Sequence, residues 1–299
     1  MNLGDLLAKR ITRLGAAAGA RAYSLYLNRR WTHPGTSITD CRWYTDFCAE
    51  TAHSKQGFAR FRTDGRYRLF VENNTADEGR YYLASTLDAA PQYKSFLEKF
   101  RTNDRFGGAS TFVYGKHGRF SPTTLRYMKY LADCEQRFGS LDSKTVVEIG
   151  AGYGGLCKLF FDRFDLTRYY IVDLPAANEL SRRYLNASLG EETVSSKVQF
   201  VNAKDPAELA EQLKSRFFDL GISTLGFSEC ARETQTIYIH FVLSKCNFGY
   251  LVMNDIARSF GVRSCRDYEI VGLLYKTLSI EEDPAWWWDD RVTLWTWKP

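Results

Sequence analysis

From Thr145 to the end of the chain, short apolar runs alternate with longer stretches in which apolar residues recur every three or four positions. The runs beginning at Val146, Tyr169, Val198, Leu220 and Tyr250 predict strands. Between them, Leu156, Leu159, Phe160 and Phe164 share one helical face, and Ala177, Leu180, Tyr184, Leu185 and Leu189 share another. Further helices are expected over Pro206 to Ser215, where Asp205 caps and Pro206 fills the first turn, over Glu233 to Lys245, and over Asp267 to Leu278. Strand alternating with helix predicts a parallel α/β sheet. Two last strand-like runs, Leu278–Glu282 and Val292–Trp297, predict a closing antiparallel hairpin.

Upstream, Ser121, Pro122 and Gly139 punctuate a helix that should pack against the sheet. Before it, the pattern predicts a basic helix near the start, a helix over Asp40 to Lys55, a hairpin across Asp64-Gly65 flanked by Phe61 and Tyr67, and helices over Asp77 to Leu87 and Pro91 to Phe100. The division is a basic, mostly helical cap over residues 1–120 and a core over 121–299. No repeat or low-complexity linker separates them.

Composition changes this picture in three ways. With 299 residues and 44% hydrophobic content, the chain can bury one substantial core, alone or with an added module. The seven cysteines are scattered, odd in number and without a C-x-x-C pair, and no secretion signal precedes them. They read as reduced, buried thiols of a cytoplasmic protein. No apolar run reaches the length of about 18 residues that a membrane span requires. Charge is asymmetric: 22 basic against 13 acidic residues up to position 140, and 18 against 22 beyond it. A basic first half implies an anionic partner: a charged glycan, a lipid surface or a nucleic acid. Within it, Leu3, Leu6, Leu7, Ile11 and Leu14 recur at helical spacing among six Lys and Arg residues up to Arg30. Residues 3–31 would either lie peripherally on an anionic membrane or pack on the protein's own core.

The chemistry concentrates in VVEIGAGYGG, residues 146–155, and in Asp173 after the second strand. Glycines 150, 152 and 155 allow a sharp turn from strand to helix with exposed backbone amides, and Asp173 is placed to accept ribose hydroxyls. The spacing also satisfies the dinucleotide fingerprint of dehydrogenases. Glu148 is the distinguishing feature, since a carboxylate beside the loop suits a cationic ligand and would repel a pyrophosphate.

Three residues are candidate catalytic bases. Glu229 lies beyond the fourth strand at the carboxyl edge, as a base or a helix-entry acid. His117 lies in the glycine-flanked loop YGKHGRF, for proton transfer or as an ordinary exposed histidine. Asp255 directly follows the fifth strand, where it contacts substrate or merely ends the strand. His240 reads as a partly buried structural residue. Asn103, Asp104 and Arg126 are candidates for binding substrate, the first two with ordinary turn chemistry as the alternative. Tryptophans 286–288, 295 and 297 read as hairpin core or as a sugar-stacking surface. Asp289 and Asp290 with Asp255 offer carboxylates, but no spacing demands a metal.

These blocks, with NDRFGG and SPTTLRYMKYL upstream and ISTLGFSEC downstream, resemble the bacterial sugar O-methyltransferase family over about residues 100–260. The resemblance implies a Rossmann-like class I S-adenosylmethionine-dependent methyltransferase fold, in which a terminal antiparallel hairpin is expected and which a dehydrogenase half-domain would lack. It implies methyl transfer to a glycan hydroxyl, often in surface-polysaccharide assembly, with a glycan or activated sugar as partner. By the same resemblance Glu148, Gly150, Ala151, Gly152 and Gly154 form the cofactor loop, Asp173 and Leu174 the ribose and adenine side, and Ala203 and Ser223 the rest of the cofactor set. The run VNAKDP places Asn202, Ala203 and Lys204 where an adenine-binding acid is common, so a backbone contact is expected there. The amine-orienting Asp/Asn-Pro-Pro-aromatic motif is missing after the fourth strand, which counts against base methylation and against a nucleic-acid partner. A nucleic-acid methyltransferase and a nicotinamide-dependent oxidoreductase stay as alternatives.

Overall fold

The computed structural model describes residues 35–282 and 292–299. The basic segment 3–31, Trp286–Trp288, Asp289 and Asp290 lie outside the described residues.

Seven strands form one sheet: β1 Thr145–Ile149, β2 Arg168–Asp173, β3 Val198–Asn202, β4 Phe218–Thr224, β5 Cys246–Met253, β6 Ser279–Glu282 and β7 Thr293–Trp297. Their order is β3-β2-β1-β4-β5-β7-β6. The first five are parallel, and β7 runs antiparallel to both of its neighbours. This is the expected Rossmann-like parallel α/β sheet with its closing antiparallel hairpin. Trp295 and Trp297 on β7 are buried core residues.

Helices cover both faces of the sheet, which is why the central strands are nearly all apolar. Pro122–Phe138 (α3), Gly155–Arg163 (α4) and Pro175–Leu189 (α5) pack on one face; Pro206–Leu213 (α6), Arg232–Phe241 (α7) and Asp267–Leu274 (α8) pack on the other. α3 begins as its sequence predicts: Ser121 Oγ accepts the N–H of Thr124, and Gly139 ends the helix with a φ of 80°. All seven cysteines are buried with free thiols.

The N-terminal half joins the same core. Tyr44 and Phe47 on Arg42–His53 (α1), and Tyr82 and Leu83 on Ala76–Ala89 (α2), belong to the apolar cluster that includes α3, α4 and α5. Arg183 of α5 donates to the carbonyls of Thr51, Ala52 and Ser54 at the end of α1. The Asp64-Gly65 hairpin does not form. Asp64 instead caps a short helix, Gly65–Arg68, by accepting the N–H of Arg66. Asp-Gly is a hairpin signal only between strands, and these flanks are helical. A small hairpin does occur later, pairing Phe112–Val113 with Arg119–Phe120.

Candidate functional site

The sheet order reverses between β1 and β4, so the loops leaving these strands diverge and open a crevice at the carboxyl edge. One cavity of about 90 Å³ lies there. Gly150, Ala151 and Gly152 line it from the turn after β1, Asp173 and Leu174 from the end of β2, Ala203 from the end of β3, and Glu229 from the segment after β4. Arg126 of α3 completes it. Eight of the sequence-predicted site residues, far apart along the chain, thus meet in one place.

The turn geometry requires glycine. Gly150 and Gly152 have φ of 77° and 58°, and a β-carbon on Gly150 would lie 2.9 Å from the Cα of Gly226. Asp173 is held by the backbone, accepting the N–H of Gly152 at 3.1 Å and that of Leu174 at 2.7 Å. Burial raises its pKa to about 6, and the backbone donors of Leu174, Gly152 and Ala151 limit the rise. Glu229 Oε1 accepts from Asn254 Nδ2 at 3.0 Å, and Asn254 Oδ1 pairs with Ser228 Oγ at 3.1 Å. The wall between the two loops is therefore polar and ordered by side chains of β4's and β5's exits.

The structure places eight of the residues singled out in the sequence outside the lining of this cavity. Glu148 does not line the cavity: it shares a strand face with Val146, is 1% exposed and accepts from Tyr169 Oη at 2.8 Å. Burial raises its pKa to about 8, so it is largely protonated at neutral pH and cannot select a cation over a pyrophosphate. Gly154 lies behind the turn, its α-carbon facing Ser181 and Leu185 of α5. Ser223 Oγ donates to the Ile149 carbonyl and accepts the Phe227 N–H, tying β4 to β1 from inside the core.

Asn103 and Asp104 are framework residues. Asn103 is 0% exposed; it donates to Thr124 and Tyr153 and accepts from Tyr184. Asp104 accepts from Arg62, Ser121 and Thr124. His117 sits in the small hairpin away from the cavity, its pKa lowered by partial burial and by Lys116 and Lys94. Asp255 is exposed and lines an adjoining cavity of about 370 Å³ with Asn254, Ser228 and Arg258. His240, read as partly buried, is exposed and meets Phe241 edge to face.

Sequence reasoning missed the contribution of the N-terminal half. Thr36, Ser37 and Thr39, Tyr44 of α1, and Phe70 with Val71 all line the cavity. Ser37 bridges to Cys230 as a lone antiparallel pair, and the N–H of Ile38 donates to the Glu229 carbonyl. Leu225, also in the lining, has a φ of 77°, a strained conformation for a branched side chain beside the site. A non-glycine residue after β4 gives no sign of that in sequence. Among the described residues no three His, Cys, Asp or Glu side chains gather as metal ligands. Nor is any described helix long and apolar enough to cross a membrane.

No family model matches this chain, and no curated protein sequence does. Its fold is similar to several solved structures. One is the pyocyanin biosynthetic protein PhzM, at 14% identity and a TM-score of 0.41, over 69% of this chain and 61% of that one. A second is geranyl diphosphate C-methyltransferase from Streptomyces coelicolor A3(2), in complex with Mg2+, geranyl diphosphate and S-adenosyl-L-homocysteine, at 13% and 0.41 over 56% and 77%. A third is magnesium protoporphyrin IX methyltransferase from Synechocystis PCC 6803 with bound S-adenosylhomocysteine, at 13% and 0.43 over 58% and 82%. Likenesses this distant decide neither ligand nor substrate.

Proposed function

We propose that this chain is an S-adenosylmethionine-dependent O-methyltransferase acting on a sugar hydroxyl of a bacterial glycan or its activated precursor. The observation that carries the reading is a single cavity lined by the glycine turn, Asp173 and Glu229 together. The residues fit the cofactor: the glycine turn leaves its backbone bare, Asp173 offers an acceptor for ribose hydroxyls, and Arg126 supplies a cation for a carboxylate. Bound there, S-adenosylmethionine would supply an electrophilic methyl group.

The chain's own residues then have distinct tasks. Leu174 and Ala203 give an apolar wall to a base, and Asp173 fixes the ribose. Glu229, steadied by Asn254, takes the proton of the attacking hydroxyl. A base of this kind contributes about two to four orders of magnitude, and holding the oxygen in line contributes more. The leaving thioether needs no acid. A sugar acceptor is supported by the sequence blocks around this site and by the missing amine-orienting motif. The basic segment 3–31 would place such an enzyme at the inner face of an anionic membrane, near lipid-linked glycans.

The test is calorimetry with S-adenosylhomocysteine and NAD, followed by mass spectrometry of surface glycans from cells with and without the gene. Binding of the first ligand and loss of one methyl group per repeat are expected. NAD binding would overturn the reading.

A further inference from the structure

The Tyr67 side chain is 0% exposed, and among the described residues its hydroxyl has no hydrogen-bond partner. Its ring is already packed, against Tyr44, Phe47, Phe61 and Tyr153. Phenylalanine would fill that space equally well, so packing explains the ring and leaves the hydroxyl unexplained. A buried polar group without a partner is costly, and native structures keep few of them.

The hydroxyl has a definite place. A β-carbon on Gly152 would lie 3.3 Å from Tyr67 Oη and 3.6 Å from Val71 Cγ2. The phenol therefore ends beside Gly152 in the glycine turn, whose N–H donates to Asp173. Val71 is one helical turn beyond Tyr67, its N–H bonded to the Tyr67 carbonyl, and its own carbonyl accepts from Arg126 Nη2 at 3.3 Å. Val71, which lines the cavity, thus links Tyr67 to Arg126. Burial holds the phenol well above its ordinary pKa range, so it stays a proton donor.

We infer that Tyr67 and Arg126 form a clamp for the amino-acid carboxylate of the bound cofactor, with the Tyr67 hydroxyl as the group that distinguishes S-adenosyl amino acids from simpler adenosine thioethers. A carboxylate matches a guanidinium and a phenol donor side by side, whereas ribose hydroxyls are matched by the acceptor Asp173. This rests on the proposed cofactor and adds to it a residue from the N-terminal half, outside the stretch that carries the sequence resemblance.

The test compares two ligands on two proteins by calorimetry: S-adenosylhomocysteine and 5′-methylthioadenosine, which lacks the amino-acid end, on wild type and Tyr67→Phe. The variant should lose about tenfold in affinity for S-adenosylhomocysteine, keep its affinity for 5′-methylthioadenosine, and melt no earlier than wild type. Equal losses for both ligands, or no loss for either, would overturn the assignment. A wild-type protein that binds neither ligand would overturn the cofactor reading itself, and the clamp with it.

Discussion

Gly150 and Gly226 meet where the sheet reverses: a β-carbon on either would lie 2.9 Å from the other's Cα. Two loops that diverge to opposite halves of the sheet therefore touch backbone to backbone, and both glycines line the cavity. The two positions are not equivalent, because only Gly150 also has a left-handed φ. Gly226→Ala should destabilise by about 1–3 kcal/mol through overpacking. Gly150→Ala should cost a further 1–2 kcal/mol or so for its backbone conformation. Both should abolish S-adenosylhomocysteine binding. Urea denaturation and calorimetry check this, and equal stabilities for the two variants would contradict the geometry.

Of the three bases that sequence suggested, only Glu229 reaches the cavity. Glu229→Gln should lower turnover by about a hundredfold or more while leaving S-adenosylhomocysteine affinity within about twofold. His117→Asn should change neither, since its hairpin lies apart from the site. Asn254→Ala should fall between them, because it removes the hydrogen bond that orients the carboxylate. Methyl-transfer kinetics with the cognate acceptor decide the order.

Two buried acids give opposite pH signatures. Asp173, with a pKa near 6, is protonated below that value, so affinity for S-adenosylhomocysteine should fall as pH drops through about 6. Asp173→Asn should bind about tenfold more weakly and lose that pH dependence. Glu148 acts on stability. Its folded pKa of about 8 exceeds the ordinary 4.5, so the folded state binds the extra proton between those values. Stability must then fall as pH rises through that window, by at most about 1.4 kcal/mol per pH unit, with the full loss present above it. Glu148→Gln should flatten the profile and stabilise the protein near the alkaline end. Denaturation midpoints across the window check the sign.

The sheet, the glycine turn and Asp173 were legible because each depends on local pattern: alternating apolar runs, a glycine spacing, an acid at a strand end. Glu148 was misjudged although strand alternation places it on the same face as Val146, turned away from the loop. Asn103 and Asp104 look like surface turn residues until Arg62 is known to sit beside them, 0% exposed as a side chain and bonded to Asp104, Glu72 and Ser121. No local signal announces a partner some forty positions away. The same reason hid Thr36, Ser37 and Val71, which line the cavity only because the N-terminal half folds over the sheet.

That half is fastened across the site by Asp40. Its carboxylate, nearly buried, accepts the N–H of Thr36 at 2.9 Å and the Thr36 hydroxyl at 3.2 Å, and pairs with Lys204 Nζ at 3.0 Å. The N–H of Ala231 donates to the Thr36 carbonyl, so the segment is held at both margins. The cavity of about 90 Å³ is well below the roughly 300–1,000 Å³ of typical ligand pockets, so a nucleoside ligand is expected to enter by shifting part of this segment. Lys204 is 59% exposed as a side chain, and such a pair is worth about 1 kcal/mol or less and weakens with salt. Lys204→Ala should therefore accelerate both association and dissociation of S-adenosylhomocysteine by about two- to fivefold, with little change in affinity. High salt should produce the same effect in wild type and none in the variant. Asp40→Ala, which also releases Thr36, should weaken binding outright. Stopped-flow fluorescence separates these cases, and unchanged rates in Lys204→Ala at low salt would show that the segment is held without the ion pair.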